Sequence, residues 1–161
     1  MLQTFKDFVI RDWQTTDRIP ASEVIRTVLT EYGLGWEPDG ADIDVVEVEK
    51  HYRLGEFWVV EHQGAVVGTA AYYPVPRGEQ AVEIRKMYLQ PQVRGGGLGR
   101  FLLRSLESRI SEQGFRQIWV ETASVLVEAV QLYETSGYKA ETGVETVRCD
   151  RIYTKRLPSS S

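Results

Sequence analysis

The sequence predicts a mixed α/β fold, a largely antiparallel sheet covered by helices, and three observations carry that reading. Two β-rich runs, 57–61 and 65–73, are joined by the short turn His62-Gln63-Gly64, which makes an antiparallel hairpin. A third run at 81–89, AVEIRKMYL, extends the hairpin to a meander. A helical pattern beginning at Leu98 then leads to a strand at 117–122, and only such a strand-helix-strand passage demands a parallel crossover. The full order reads β-α-α-β-β-β-α-β-α-β-β.

Each element has local grounds. Residues 8–13, FVIRDW, alternate well enough for a first strand. Pro20-Ala21-Ser22-Glu23 leads into a helix with Val24, Ile25, Val28, Leu29 and Tyr32 on one face and Gly33 as its stop. GLGWEPDG (33–40) is loop chemistry, and DIDVVEVEKHY (42–52) reads as a second, more polar helix. Leu98, Phe101, Leu102, Leu106 and Ile110 mark a helical face that Gly114 closes. Leu126, Ala129, Val130 and Tyr133 mark another, with Gly137 in the C-terminal capping position. Two closing strands are expected near 138–146 and 149–156.

At 161 residues the chain suits one domain, placed at 1–157, with a flexible tail at 158–161. The net charge of −4 argues against a general nucleic-acid binder. Cys149 is the only cysteine, so no internal disulfide forms, and it reads as a buried, inert thiol. The N-terminus MLQTFKDFVIRDW lacks a secretory pattern, and no apolar stretch approaches the ~20 residues a membrane span needs. The expected location is the cytoplasm, with no membrane partner. No zinc-type cysteine spacing and no His-Glu-x-x-His pair occurs, so no metal is expected.

The stretch Arg94-Gly95-Gly96-Gly97-Leu98-Gly99-Arg100 stands between a strand and a helix. The first N–H groups of a helix lack internal partners and lie at the positive end of its dipole. Removing side chains there lets a phosphate approach the backbone, and the two flanking arginines add charge. A nucleoside-triphosphate loop wants Lys then Ser or Thr after its last glycine, whereas Arg100-Phe101 follows here. A dinucleotide fold wants a third glycine where Leu102 stands, although Glu121 lies about where its ribose-binding acid belongs.

These residues resemble the GNAT superfamily of acetyl-CoA-dependent N-acyltransferases. Its signature, Arg or Gln, x, x, Gly, x, Gly or Ala, is met by Arg94-x-x-Gly97-x-Gly99 and again by Gln92-x-x-Gly95-x-Gly97. EIRKMYLQPQVRG (83–95) resembles the family's fourth strand and following loop, and LYETSGY (132–138) resembles its later helix motif. The resemblance implies two central strands splayed apart, with the pantetheine arm of acetyl-CoA in the gap. It implies that backbone groups of Met87, Tyr88 and Leu89 pair with pantetheine amides. Arg94, Gly95, Gly96, Gly97, Leu98, Gly99 and Arg100 would hold the pyrophosphate, chiefly through N–H groups.

The same resemblance implies N-acetyl transfer to a primary amine, with a small molecule or an amino acid as acceptor. A protein N-terminus or lysine is the second choice, and a non-catalytic acetyl-CoA-binding module is the rival class. A homodimer is left open. An alkylamine of pKa ~10.4 is only about one part in a few thousand neutral at pH 7, so a base is worthwhile. Glu83 matches the family's glutamate base, with pairing to Arg85 as its structural alternative. Strand alternation would put Glu83, Arg85 and Met87 on one face. Tyr133 matches the tyrosine that protonates the departing thiolate, and a core aromatic is its plainer role. Many relatives carry an asparagine where this chain has Leu126, so no side-chain amide contact is expected from that position. Trp36 is a candidate lining residue for the acceptor pocket, while His51 and His62 receive no role.

Overall fold

Hairpin pairing builds the first part of the sheet. A computed structural model describes residues 1–158, in which β1 (Leu2–Phe5) and β2 (Phe8–Asp12) form an antiparallel pair turning at Lys6-Asp7. β3 (Glu56–His62), β4 (Ala65–Pro74) and β5 (Ala81–Leu89) continue it as the expected antiparallel meander. β6 (Gln117–Thr122) then pairs parallel to β5. β8 (Arg151–Arg156) inserts between β6 and the short β7 (Lys139–Glu141), giving the order β1-β2-β3-β4-β5-β6-β8-β7.

Helices cover both faces of this sheet. In β3, Trp58 and Val60 point into one core with Leu98, Leu102 and Leu106 of α4 (Leu98–Glu112) and Tyr133 of α5 (Val127–Thr135). Phe57 and Val59 point into the other, with Ile25 and Leu29 of α1 (Arg18–Glu31), Val45 of α2 (Ile43–Val46) and Val48 of α3 (Val48–His51). This is why the run at 57–60 is apolar throughout instead of alternating.

Three expectations are corrected. The single polar helix at 42–52 is two separate turns, α2 and α3, broken at Glu47, where φ is −124° and ψ 53°. Asp42 and Asp44 are buried there, and both carboxylates turn inward to Lys86 Nζ at 3.2 Å. The closing strand placed at 138–146 stops at Glu141. Beyond it, Glu121 accepts from the backbone N–H groups of Glu145 and Thr146, and Arg77 donates to the Gly143 carbonyl. Side chains thus hold that loop where a longer ladder was expected. The β1–β2 hairpin was not foreseen as such, because Lys6-Asp7 carries no glycine or asparagine, and Lys6 itself takes φ +53°. Phe5 anchors the hairpin by stacking on Phe101 of α4 at 4.7 Å. The tail expected at 158–161 lies, apart from Pro158, outside the described residues.

Candidate active site

The sheet opens in its middle. β5 pairs with β6 from Ala81–Gln117 to Ile84–Val120 and no further, although β5 runs on to Leu89. Past Ile84 the edge of β5 facing β6 has no partner strand among the described residues. A cavity of about 700 Å³ fills the gap, and Met87, Tyr88 and Leu89 line it together with Gly95, Gly97, Gly99 and Arg100. A chain of amides lying in this gap would find β-type partners on the open edge.

A bulge in β5 sorts its side chains. Thr69 faces Tyr88 while Ala71 faces Arg85, so Lys86 and Met87 together oppose Ala70. Lys86 takes φ +51°, and its carbonyl accepts from Thr69 Oγ1 at 2.6 Å. The extra residue overturns the expectation that Glu83, Arg85 and Met87 share a face. Arg85 lies over the ring of Tyr73, on the α1 side, whereas Met87 packs into the α4–α5 core. The slip turns Lys86 down into Asp42, Asp44 and the Ala41 carbonyl, and brings Met87 beneath Tyr133.

The glycine run has the properties of an anion cradle. Gly95 and Gly97 sit at φ +87° and +89°, a region other residues enter only with strain. The first bond of α4 runs from Phe101 N–H to the Gly97 carbonyl. None of the backbone N–H groups from Gly95 to Arg100 has a hydrogen-bond partner among the described residues. These unpartnered donors, at the positive end of a 15-residue helix, fit a diphosphate. Leu98 contributes only its backbone, since its side chain is buried in the core. Gly96 has no part in the cavity lining, and its carbonyl accepts from Lys6 Nζ at 2.8 Å.

The two arginines of the run differ. Arg94 is committed, with Nη1 and Nη2 on Glu31 at 2.8 and 2.9 Å and Nε on the Leu89 carbonyl at 3.0 Å. It ties the loop to α1. Among the described residues Arg100 bonds only to Thr135 Oγ1, at 3.3 Å, and keeps its charge available. Lys6 adds a second cation at the loop's lip. Sequence reasoning missed it because it stands 90 residues from Gly96 on the unforeseen hairpin.

Glu83 and Tyr133 both line the cavity. Glu83 is 5% exposed, and burial raises its carboxyl above the usual range, with the charge of Arg85 opposing. Its Oε2 accepts from Arg85 Nη1 at 2.8 Å, while Oε1 has no partner among the described residues. The structural alternative and an available oxygen therefore coexist on one side chain. Tyr133 buries its ring in the core, and among the described residues its hydroxyl finds only Met87 Sδ, at 4.0 Å. Burial raises its pKa further above that of an ordinary phenol.

Other candidates resolve more simply. Cys149 is half-buried in the cavity wall, and burial pushes its thiol up to about 11, so it carries no thiolate at neutral pH. Glu121 is held by Arg77 and the loop amides, away from any ribose role. Trp36 packs against the α1-side core and is not among the cavity's lining residues, whereas Leu34 is. His62 binds Asp7 at 2.7 Å, and His51 stands 3.5 Å from Glu47. Leu126 presents an apolar side chain to the cavity. Among the described residues no group of three or more His, Cys, Asp or Glu is placed to hold a metal, and no helix is long and apolar enough to cross a membrane.

Residues 22–138 match the family described as acetyltransferase (GNAT). The chain belongs to the GNAT acetyltransferase family. It is 35% identical over 136 residues to YjgM of Escherichia coli K12, an uncharacterised N-acetyltransferase, with 81% of each chain covered. It is 32% identical over 106 residues to a probable N-acetyltransferase family 8 member 5 of Mus musculus, but spans only 45% of that relative's length. A GNAT acetyltransferase from Staphylococcus aureus Mu50 shares the fold at TM-score 0.87 and 18% identity, over 94% of this chain and 99% of that one. The yncA acetyltransferase of Salmonella typhimurium, solved with acetyl-CoA, shares it at TM-score 0.74 and 20% identity, over 97% of each. The mixed sheet, the expected splay and the helices on both faces are thus those of a GNAT enzyme. With β1 added, the splayed strands are the fifth and sixth of the sheet rather than the fourth and fifth.

Proposed function

We propose that residues 1–157 act as one N-acetyltransferase domain, moving an acetyl group from acetyl-CoA to the primary amine of a small molecule or amino acid. One observation carries this reading. A single cavity joins an unpaired strand edge, a cradle of free N–H groups and, between them and the far wall, Tyr133 and Glu83. The backbone of Met87, Tyr88 and Leu89 pairs with the pantetheine amides, and the N–H groups of Gly95 to Arg100 hold the diphosphate. When bound, acetyl-CoA supplies a thioester carbonyl as the electrophile. Glu83 takes the proton from the ammonium of the acceptor through Oε1, directly or through water. Tyr133 gives its hydroxyl proton to the sulfur.

Thermal shift tests the cofactor. Acetyl-CoA and CoA at ~100 times their dissociation constants should each contribute about 2.7 kcal/mol, while NAD and ATP leave the melting temperature unchanged. Stabilisation by NAD alone would overturn the reading. An amine library with CoA release as the readout then separates turnover from binding alone.

The base has a pH signature. Glu83 works deprotonated, so kcat/KM should climb as pH rises through its elevated pKa. In Glu83→Gln that limb should vanish. The loss of rate should be largest above that pKa but well below ~10, where Glu83 is ionised and few amines are already neutral, and shrink as pH approaches ~10. A pH profile parallel to wild type would remove Glu83 from the role.

A further inference from the structure

We infer that the acceptor is a zwitterion, an α- or β-amino acid whose carboxylate is clamped by Arg85 while Glu83 takes the proton from its amine. The inference rests on the reading just given and narrows its acceptor.

Most of the cations around the cavity are already spent. Lys86 is buried between Asp42 and Asp44 and also donates to the Ala41 carbonyl. Arg148 forks onto Asp42 at 2.7 and 2.8 Å and donates to the Gly35 carbonyl. Arg94 is closed on Glu31, and Arg77, which lines only the smaller cavity, meets Glu121, Glu145 and the Gly143 carbonyl through Nη2. Of the arginines lining the large cavity, two keep an Nη group with no partner among the described residues. Arg100 does so at the glycine cradle, where a diphosphate accounts for it. Arg85 does so beside Glu83, apart from the glycine run.

The geometry of Arg85 is specific. Its Nη1 donates to Glu83 Oε2 at 2.8 Å. Its Nε stands 3.8 Å from Asp44 Oδ2, beyond hydrogen-bond reach, and Nη2 has no partner among the described residues. The guanidinium is fixed over the Tyr73 ring at 5.4 Å, so its plane is set before any ligand arrives. With Glu83, it lines both the large cavity and an adjoining one of about 140 Å³, which suits a small molecule. A planar guanidinium with unused N–H groups is suited to a carboxylate.

The spacing sets the class of acceptor. Glu83 and Arg85 touch, so the ammonium and the anion they serve must lie within a few bonds of each other. That is met when amine and carboxylate sit on the same or adjacent carbons. The acidic neighbours do not oppose this arrangement, because Glu121 and Glu145 are both paired with Arg77 and Asp44 with Lys86.

The test compares each of a panel of amino acids with its primary amide and its decarboxylated amine, reading CoA release. Wild type should prefer the free acid by about 10–100-fold in kcat/KM, the worth of a charge-assisted hydrogen-bonded pair. In Arg85→Gln the acid-to-amide ratio should fall to near one through a rise in KM for the acid. Any loss from disturbing Glu83 strikes both substrates and cancels in the ratio. Arg85→Lys, which keeps the charge but not the fork, should give an intermediate ratio and guards against a variant that fails to fold. Equal use of acid and amide by wild type overturns the inference while leaving the transferase reading intact. An unchanged ratio in Arg85→Gln overturns it too, assigning Arg85 to positioning Glu83 alone. No CoA release from any amine, with acetyl-CoA bound, instead overturns the transferase reading itself.

Discussion

Tyr133→Phe is expected to lower turnover by roughly 10²–10⁴, the usual worth of a positioned acid, with acetyl-CoA affinity nearly unchanged. The substitution is clean in this structure. The ring packs edge-on to Tyr138 at 5.6 Å and near Tyr153 at 6.2 Å, and phenylalanine keeps both contacts. The hydroxyl's only hydrogen-bond contact among the described residues is a thioether, a weak acceptor, so its loss strands no buried group. What is lost is a proton facing the cavity. The same walls push the Cys149 thiol up to about 11, burial being the main cause. A departing thiolate in that cavity meets the same desolvation and holds its charge poorly. Burial also raises the phenol's pKa, so Tyr133 stays protonated throughout the working range and puts no falling limb on the neutral-pH profile. Single-turnover CoA release, set beside an acetyl-CoA titration, measures both quantities. A wild-type rate on a good acceptor would return Tyr133 to a packing role.

The fold was legible where local pattern and tertiary environment agree. The meander from β3 to β5, the helix after the glycine run and the parallel return to β6 each show a sustained period, and each forms near its expected bounds. Disagreements arise where a side chain answers to a distant partner. DIDVVEVEKHY has helical spacing, but Asp42 and Asp44 serve Lys86 and Arg148, so the segment bends to deliver them and breaks at Glu47. The loop after β7 obeys Glu121 in the same way. The β1–β2 hairpin turns on Lys6-Asp7, which no turn rule singles out.

Much of the candidate site was visible because it is made of backbone. Glycines at the mouth of a helix show directly in a sequence, and so does a strand leading into them. The side chains were less legible. Alternation assigned Met87 to the face of Glu83, and one bulged residue, Lys86 at φ +51°, reversed it. That bulge leaves no composition signal, since lysine is not a residue that favours positive φ. The pairing of Arg94 with Glu31, 63 positions away, and the approach of Lys6 to Gly96 are likewise facts of tertiary packing.

Gly97→Val should abolish most acetyl-CoA binding, through the strain it puts on the cradle. Gly97 caps α4 in the left-handed region at φ +89°, ψ 0°, where a β-branched residue is strained by at least about 1–2 kcal/mol. The loop relieves that strain by changing conformation, which turns the N–H groups of Gly95 to Arg100 away from a common point. A Cβ at Gly97 would lie at an ordinary 3.6 Å from Phe5 Cζ, so the effect comes from the backbone conformation and not from a clash. Losing one or two charge-assisted hydrogen bonds to a diphosphate, each about 1.5–3 kcal/mol, weakens binding by roughly 10–10⁴. Gly99→Ala is the control. Gly99 lies within α4, and a Cβ there meets Leu132 and Leu89 at an ordinary 3.7 Å, so the helix and cradle should persist with affinity near wild type. Calorimetric titration of acetyl-CoA into both variants reads the difference, and melting curves in its absence show how much of the change belongs to the fold. If Gly97→Val bound acetyl-CoA as tightly as wild type, the diphosphate would have to be held by groups other than these amides.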